Sequence, residues 1–258
     1  MVTAYIKAEE LKNRHTVSTK LFWIVPLASI LLACVFSGQQ ARYYQVNQFN
    51  WWYTSLFPML LLLSTAFLVQ RERKMKNRAM GVLPVDMKKV WFAKVVYSLK
   101  TLVLAVALIF CAQEGISRLF AGGAVREITT ASSLMAAILW IVLSAWQIPL
   151  WLFVNQKCGF TASLLMGLAC NVGPGIMGAT TKWWIINPFS YINRLMCPVL
   201  KILPNGLTAE PGSMTFYPGL METWSIPVGV GISLVLLLVC FAATARWYDR
   251  KGTQGWEK

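Results

Sequence analysis

Charge is scarce in this chain: Asp, Glu, Lys and Arg together make up 13% of its 258 residues, roughly half the share of an average soluble domain. That scarcity argues against a soluble enzyme. There is a single histidine, His15, and no CxxC spacing among the six cysteines, which removes the usual zinc and iron ligand sets. Cys34, Cys111, Cys170 and Cys240 fall inside apolar runs and behave as small hydrophobes. Acidic residues are few as well, and no nucleophile, base and orienting group can be assembled from them. No alternating ten-residue pattern supports a membrane β-barrel.

What is present is hydrophobicity in long uninterrupted runs. Hydrophobic residues form 57% of the chain, in stretches long enough to cross a hydrocarbon layer of about 30 Å. Spans are expected at 21–37, 51–70, 91–112, 132–154, 160–179 and 225–245. The chain is thus expected to be an all-α membrane protein of about six transmembrane helices, folded as one domain, because only helices satisfy their own backbone groups in lipid without closing a barrel.

The net charge of +14 would suit nucleic acid, but no nucleic-acid-binding motif accompanies it, so nucleic acid is excluded as a partner. Its distribution suits topology instead. Lys7, Lys12, Arg14 and Lys20, then Arg71 to Lys94, then Lys157, then Arg246, Arg250, Lys251 and Lys258 fall on one side. Arg42, Arg118, Arg126, Lys182, Arg194 and Lys201 fall on the other. The imbalance predicts that the first side, with both termini, is cytoplasmic, where anionic membrane lipid is a further partner. Tyr43, Tyr44, Trp51, Trp52 and Tyr53, with Trp183 and Trp184, are then expected at the outer boundary.

Residues 1–20 are expected to form an interfacial helix with Ala4, Ala8 and Leu11 on one side. The loop 71–90 reads as a helix that breaks at Gly81, turns around an apolar tip of Val82, Leu83, Pro84 and Val85, and restarts at Asp86 as N-cap. An apolar tip on a charged arm needs a partner groove. Residues 180–224 carry Pro188, Pro198, Pro204, Pro211 and Pro218 around a stretch, 192–207, too hydrophobic for a solvated loop. One or two short re-entrant or interfacial helices are expected there, followed by a cytoplasmic tail at 246–258.

Polar residues inside the spans are costly facing lipid, so Gln147 and Asn171 should face other helices or a cavity. Glu114, at the end of span three, is either a solvated end residue or an attractor of a cationic ligand. Gly173-Pro174-Gly175-Ile176-Met177-Gly178 matches GxGxxG formally, but it ends an apolar span with no preceding strand. Close helix approach or a helix break is the expected use of these small residues.

The stretch Glu72-Arg73-Lys74, with Leu83-Pro84-Val85-Asp86 and Lys88-Lys89-Val90-Trp91-Phe92-Ala93-Lys94, resembles the cytoplasmic signature of ABC-2-type (type V) exporter permeases. More narrowly, Ile6-Lys7-Ala8-Glu9 with Leu11-Lys12, Asn50-Trp51-Trp52-Tyr53-Thr54, and Arg194-Leu195-Met196-Cys197-Pro198 running to Leu203-Pro204-Asn205-Gly206-Leu207 resemble lantibiotic-immunity permeases of the MutE/EpiE type. Asn13-Arg14-His15 departs from the more uniformly basic run expected there.

The resemblance implies a permease subunit of the cytoplasmic membrane that pairs with a related permease as a heterodimer and with two copies of a separate ABC ATPase. ATP and magnesium would be bound by that ATPase, with no cofactor or metal in this chain, which has no nucleotide-binding motif. The substrate implied is a lanthionine antimicrobial peptide, expelled to the outside of a Gram-positive cell as self-immunity or resistance. Arg71, Glu72, Arg73, Lys74, Met75, Val82, Leu83, Pro84, Val85 and Asp86 are then the expected ATPase-coupling residues, in a coupling helix between spans two and three. Glu114, Gln147, Asn171, Arg194, Met196, Pro198, Pro204 and Asn205 are the candidates for the substrate path. Two alternatives stay open: an ABC-2 exporter for another substrate, and a peptide-binding immunity or sensing protein without an ATPase.

Overall fold

In the computed structural model, residues 2–37, 41–74, 85–121 and 128–254 are described, and among them the regular structure is helical. In chain order these helices are α1 (Val2–Asn13), α2 (Val17–Ser37), α3 (Ala41–Trp51), α4 (Phe57–Lys74), α5 (Met87–Ala121), α6 (Thr130–Ser144), α7 (Gln147–Cys158), α8 (Phe160–Ala179), α9 (Tyr191–Leu200) and α10 (Ser225–Gln254). Five stretches, including the continuous run Tyr43–Lys74, are long and apolar enough to cross a membrane. A sixth arises if the bent pair α6 and α7 is one span. This is a multi-pass membrane architecture.

Proline explains both irregularities in the spans. A proline in a helix lacks the N–H for the carbonyl four residues back, and its ring clashes with that carbonyl. Pro58 would meet Thr54 in this way, and the turn Trp52–Leu56 between α3 and α4 widens into a π-helical bulge that relieves the clash. Pro149 would meet Ala145, where α6 ends, and α7 leaves at 42°. The expected continuous span at 132–154 is therefore a broken one. Helices also outrun the apolar runs, since charged ends continue the backbone ladder: α5 extends to residues 87 and 121, and α10 to 254.

The run Tyr43–Lys74 is the centre of the bundle. Of its most apolar stretch, 72% is buried, against 11% for α10, whose Leu234, Val235, Leu238 and Val239 are exposed. A peripheral helix with such a face is one whose outer side meets lipid. Tyr44, Trp52, Tyr53 and Trp184 are buried, with Trp52 against Phe57 and Trp140. Of the expected aromatic belt, Tyr43, Trp51 and Trp183 remain exposed. The others fill the core, because large amphipathic rings suit a packed interior as well as a boundary.

Between α8 and α10 lies a compact lobe. Two 3₁₀ turns (Trp184–Ile186 and Pro188–Ser190) lead into α9, which Lys201 ends in the left-handed conformation, φ 57°, donating its N–H to Cys197 O at 3.0 Å. The chain then makes a narrow hairpin, with Leu203 N to Leu207 O at 2.8 Å and Ala209 N to Lys201 O at 2.8 Å. Its turn needs the positive φ of Gly206, 83°. Where one or two short helices are expected, the apolar stretch 192–207 divides between the single helix α9 and this hairpin.

Candidate functional site

At one end of the bundle, α1, α4 and α5 meet in a buried ion network. Lys94 of α5, 1% exposed at its side chain, lies 2.7 Å from Glu72 Oε2 and 3.3 Å from Glu9 Oε1. Lys12 pairs with Glu9 at 2.6 Å and also with Glu72. Asn13 Nδ2 donates to the backbone carbonyl of Glu9 at 2.8 Å and to its carboxylate at 3.2 Å. Two carboxylates thus face two ammonium groups, which is the condition under which buried charges are tolerated. The face of α1 turned inward is polar: Glu9 and Asn13 are buried and Leu11 is 61% exposed. The side expected to be apolar, Ala4, Ala8 and Leu11, is the exposed one, and ion pairing holds the opposite side of the helix against the bundle.

Two further contacts extend this end to α10. Trp91 donates its Nε1 to Thr244 Oγ1 at 3.1 Å and packs on Tyr248, with ring centroids 4.7 Å apart. Lys88 approaches Asp249 at 3.3 Å. Asp86 caps α5 as expected, its Oδ1 accepting from the N–H groups of Lys88 and Lys89 at 3.1 and 3.3 Å. The Lys89 ammonium beside it, at 2.8 Å, holds the Asp86 carboxyl below its ordinary value. Asp86 N–H also donates to Tyr5 Oη at 3.3 Å, joining α1 to the start of α5.

The expected coupling residues are distributed unevenly around this end. Glu72 is buried in the network, while Arg73 and Lys74 are exposed and line a cavity of about 320 Å³ with Gln70, Asn155 and Phe160. Val85 packs on the core. The side chain of Arg71, and Met75, Val82, Leu83 and Pro84, lie outside the described residues. The sequence places Lys94, Lys12 and Glu9 in segments of the same cytoplasmic side without pairing them with one another. The missed signal is helical spacing: Val90, Trp91, Lys94, Tyr97, Ser98 and Thr101 form the buried face of α5, so Lys94 is a cation on an interior stripe.

Inside the bundle, Gln147 and Asn171 find each other. Gln147 Oε1 accepts from Asn171 Nδ2 at 3.1 Å and from Trp151 Nε1 at 3.1 Å, tying the break between α6 and α7 to α8. Glu114 is buried, not solvated: its carboxylate accepts from Thr130 Oγ1 at 2.7 Å and from Arg118 at 3.3 Å. It secures the beginning of α6 to the end of α5. The GxGxxG stretch lies within α8 and serves close approach. A Cβ on Gly178 would sit 2.4 Å from Asn187 Nδ2, which instead donates to Pro174 O at 2.7 Å.

At the opposite end, Arg194 is 3% exposed. It donates to Ala179 O at 3.3 Å, Tyr217 Oη at 2.6 Å and Gly219 O at 2.5 Å, and lies 5.4 and 5.5 Å from the centroids of Trp184 and Tyr217. Met196 and Pro204 are buried beside it in sequence, Pro198 is half-buried and Asn205 is exposed at the hairpin tip. Asn50 reaches this lobe, since a Cβ on Gly206 would lie 2.7 Å from its Nδ2. The segments starting at Asn50 and ending at Leu207 are thereby neighbours despite their separation in sequence.

Broken and bulged spans, a charged helix clipped to one end and a folded lobe at the other define a multi-pass membrane component. The chain belongs to the ABC-2 transporter family: the family model described as ABC-2 family transporter protein matches residues 5–173. It is a membrane permease of an ABC transporter, a family whose members associate with an ABC ATPase. No curated protein and no solved structure matches it.

Proposed function

We propose that the chain is the permease subunit of a transporter that moves lanthionine antimicrobial peptides from the cytoplasmic membrane to the outside, conferring self-immunity or resistance. It pairs with a second, related permease and with two copies of a separate ATPase that bind the ATP and magnesium. The observation that carries this reading is the meeting of Asn50 with Gly206. The two segments that resemble the immunity permeases most narrowly share one lobe, as parts of a single peptide-handling surface would. Residues 194–207 lie beyond the stretch matched by the family model, so the substrate rests on the resemblance and on that proximity.

In the proposed cycle the ATPase engages the coupling residues between Arg71 and Asp86 and displaces the end of α4. Glu72 is held by Lys12 and Lys94, so α1 and α5 follow α4 as one unit. Motion is then carried along the Tyr43–Lys74 run, roughly 48 Å at 1.5 Å per residue, to the lobe at the far end. Glu114, Gln147 and Asn171 keep the broken spans in register while they rock, and Arg194, Met196, Pro198, Pro204 and Asn205 form the exit.

The coupling step is tested with Leu83→Asp. A charge in an apolar docking groove weakens association roughly a hundredfold, so the ATPase that co-elutes with the native chain is lost while the permease keeps its helical content. Survival against a panel of lanthionine peptides, with the chain present and deleted, tests the substrate, and equal survival with every peptide removes the immunity reading. Orientation is tested separately with an impermeant thiol reagent on intact cells. Asn205→Cys, exposed at the hairpin tip, is modified at once, and the exposed native Cys158 only after lysis. Cys197 does not compete, being buried with its thiol pushed up to about 12 by that burial. Cys158 reacting first would invert the topology.

A further inference from the structure

We propose that α1, α2 and α5 form a binding site for one anionic glycerophospholipid, with its phosphate between Lys7 and Arg14 and its acyl chains along α2 and α5. A cavity of about 380 Å³ opens among these helices, lined by Lys7, Leu11, Arg14, Phe22, Lys100 and Leu104 among others. That volume is within the roughly 300–1,000 Å³ of small-molecule pockets. The lining combines three cations and a single carboxylate, Glu10, which Lys100 already pairs. Among the described residues no carboxylate pairs with Lys7 or Arg14, so two cations face the cavity without a counter-ion.

Charge and apolar surface are separated in the way a lipid requires. Lys7, Glu10 and Leu11 recur at helical spacing on the side of α1 opposite to Glu9, Lys12 and Asn13, and Arg14 joins them from the turn that follows the helix. Thr19 and Tyr97, whose hydroxyls lie 3.4 Å apart, add polar atoms at the same level. The apolar part of the lining is Leu11 of α1, Phe22 of α2 and Leu104 of α5, and outside the cavity both spans expose further apolar side chains, Trp23, Ile24 and Leu27 on α2 and Val103 on α5. The cations stand at the N-terminal boundary of α2 and the apolar surface runs along its span. A free phosphate would use only the first half of this site, whereas a phospholipid uses both. Bound there, the lipid braces α1 from outside while the ion network holds it from within.

The test is native mass spectrometry of the whole purified chain in neutral detergent, titrated with phosphatidylglycerol. One tightly held lipid per chain is expected, displaced neither by phosphatidylcholine nor by millimolar inorganic phosphate and weakened by salt. At about 1 kcal/mol per basic residue near an anionic lipid, Lys7→Gln with Arg14→Gln should lower the affinity roughly tenfold or more. Lys201→Gln, an exposed cation at the other end, should leave it unchanged. The charge-preserving pair Lys7→Arg and Arg14→Lys should restore binding, which separates recognition from misfolding. Equal affinity for phosphatidylcholine, displacement by inorganic phosphate, or full retention in the neutral double variant each overturns the proposal.

Discussion

Lys94→Met is expected to destabilise the folded chain by about 3–5 kcal/mol, the cost of removing one partner from a buried ion pair. For a chain of this size that corresponds to a fall in the unfolding midpoint of roughly 6–20 °C. The side chain of Lys94 is 1% exposed and those of its partners Glu9 and Glu72 are 5% and 6% exposed. Without it, Lys12 alone faces two buried carboxylates. Methionine fills the space of the lysine stem but supplies no donor, so the carboxylates repel each other and lose hydrogen bonds together. Lys100→Met is the matched control. Lys100 also bridges α5 to a glutamate of α1, Glu10, but the side chains are 53% and 37% exposed, and a solvated pair of this kind is worth at most about 1 kcal/mol. Adding Glu72→Gln to Lys94→Met should recover part of the loss, because one uncompensated charge goes with it. Thermal unfolding in detergent measures all three. Similar small losses for Lys94→Met and Lys100→Met would mean that water reaches the network and that α1 is not clipped to α4 as described.

This network also shows where sequence reading stops. The spans were legible because lipid demands about 20 consecutive apolar residues, a constraint that composition alone reveals. Gln147 and Asn171 were legible for the same reason, as polar residues in apolar runs that had to find partners, and they found each other. Lys94 was not, because it follows Lys88 and Lys89 closely enough to be counted with the loop. Only its spacing from Val90, Trp91 and Tyr97 places it on the buried face of α5. Glu9 and Glu72 are 63 positions apart, and no local pattern announces that two such residues share one cation.

The break after Ser144 was written in Pro149, yet the hydropathy of 132–154 hides it, since a bent pair of helices is as apolar as a straight one. Tyr44, Trp52 and Tyr53 failed for a different reason. Aromatic residues are enriched at membrane boundaries and also in packed cores, and residue type does not separate the two. The ring contacts of Tyr44 with Phe120 and of Trp52 with Phe57 and Trp140, and the full burial of Tyr53, do. The lobe between α8 and α10 was the least legible part, because its form follows from Arg194, whose acceptors lie 15, 23 and 25 positions away.

Arg194→Met should release that lobe while leaving the spans folded. The guanidinium binds the last residue of α8, the hydroxyl of Tyr217 and the 3₁₀ turn at Gly219, and lies against Trp184 and Tyr217. Among the described residues no carboxylate pairs with it, so its charge is compensated by carbonyl dipoles, by the C-terminal end of α8 and by aromatic faces. Methionine removes the charge and its desolvation cost together, but leaves three acceptors without donors at about 1–3 kcal/mol each where water cannot reach. A net loss of about 3 kcal/mol raises the opened fraction of the lobe roughly a hundredfold. Tryptic cleavage after Lys201, measured where opening is fast relative to cutting, should accelerate by that factor. Arg194→Lys should rescue little, because one ammonium on a flexible stem cannot span acceptors that a planar fork holds simultaneously. Tyr217→Phe, which removes one acceptor and keeps a ring face, should cost about 1 kcal/mol. An unchanged cleavage rate in Arg194→Met would mean that the hydrophobic contacts of Cys197, Leu203 and Leu220 hold the lobe by themselves. In the proposed cycle, a lobe freed in this way no longer receives the displacement of α4, so loss of protection with retained ATPase association is the expected phenotype.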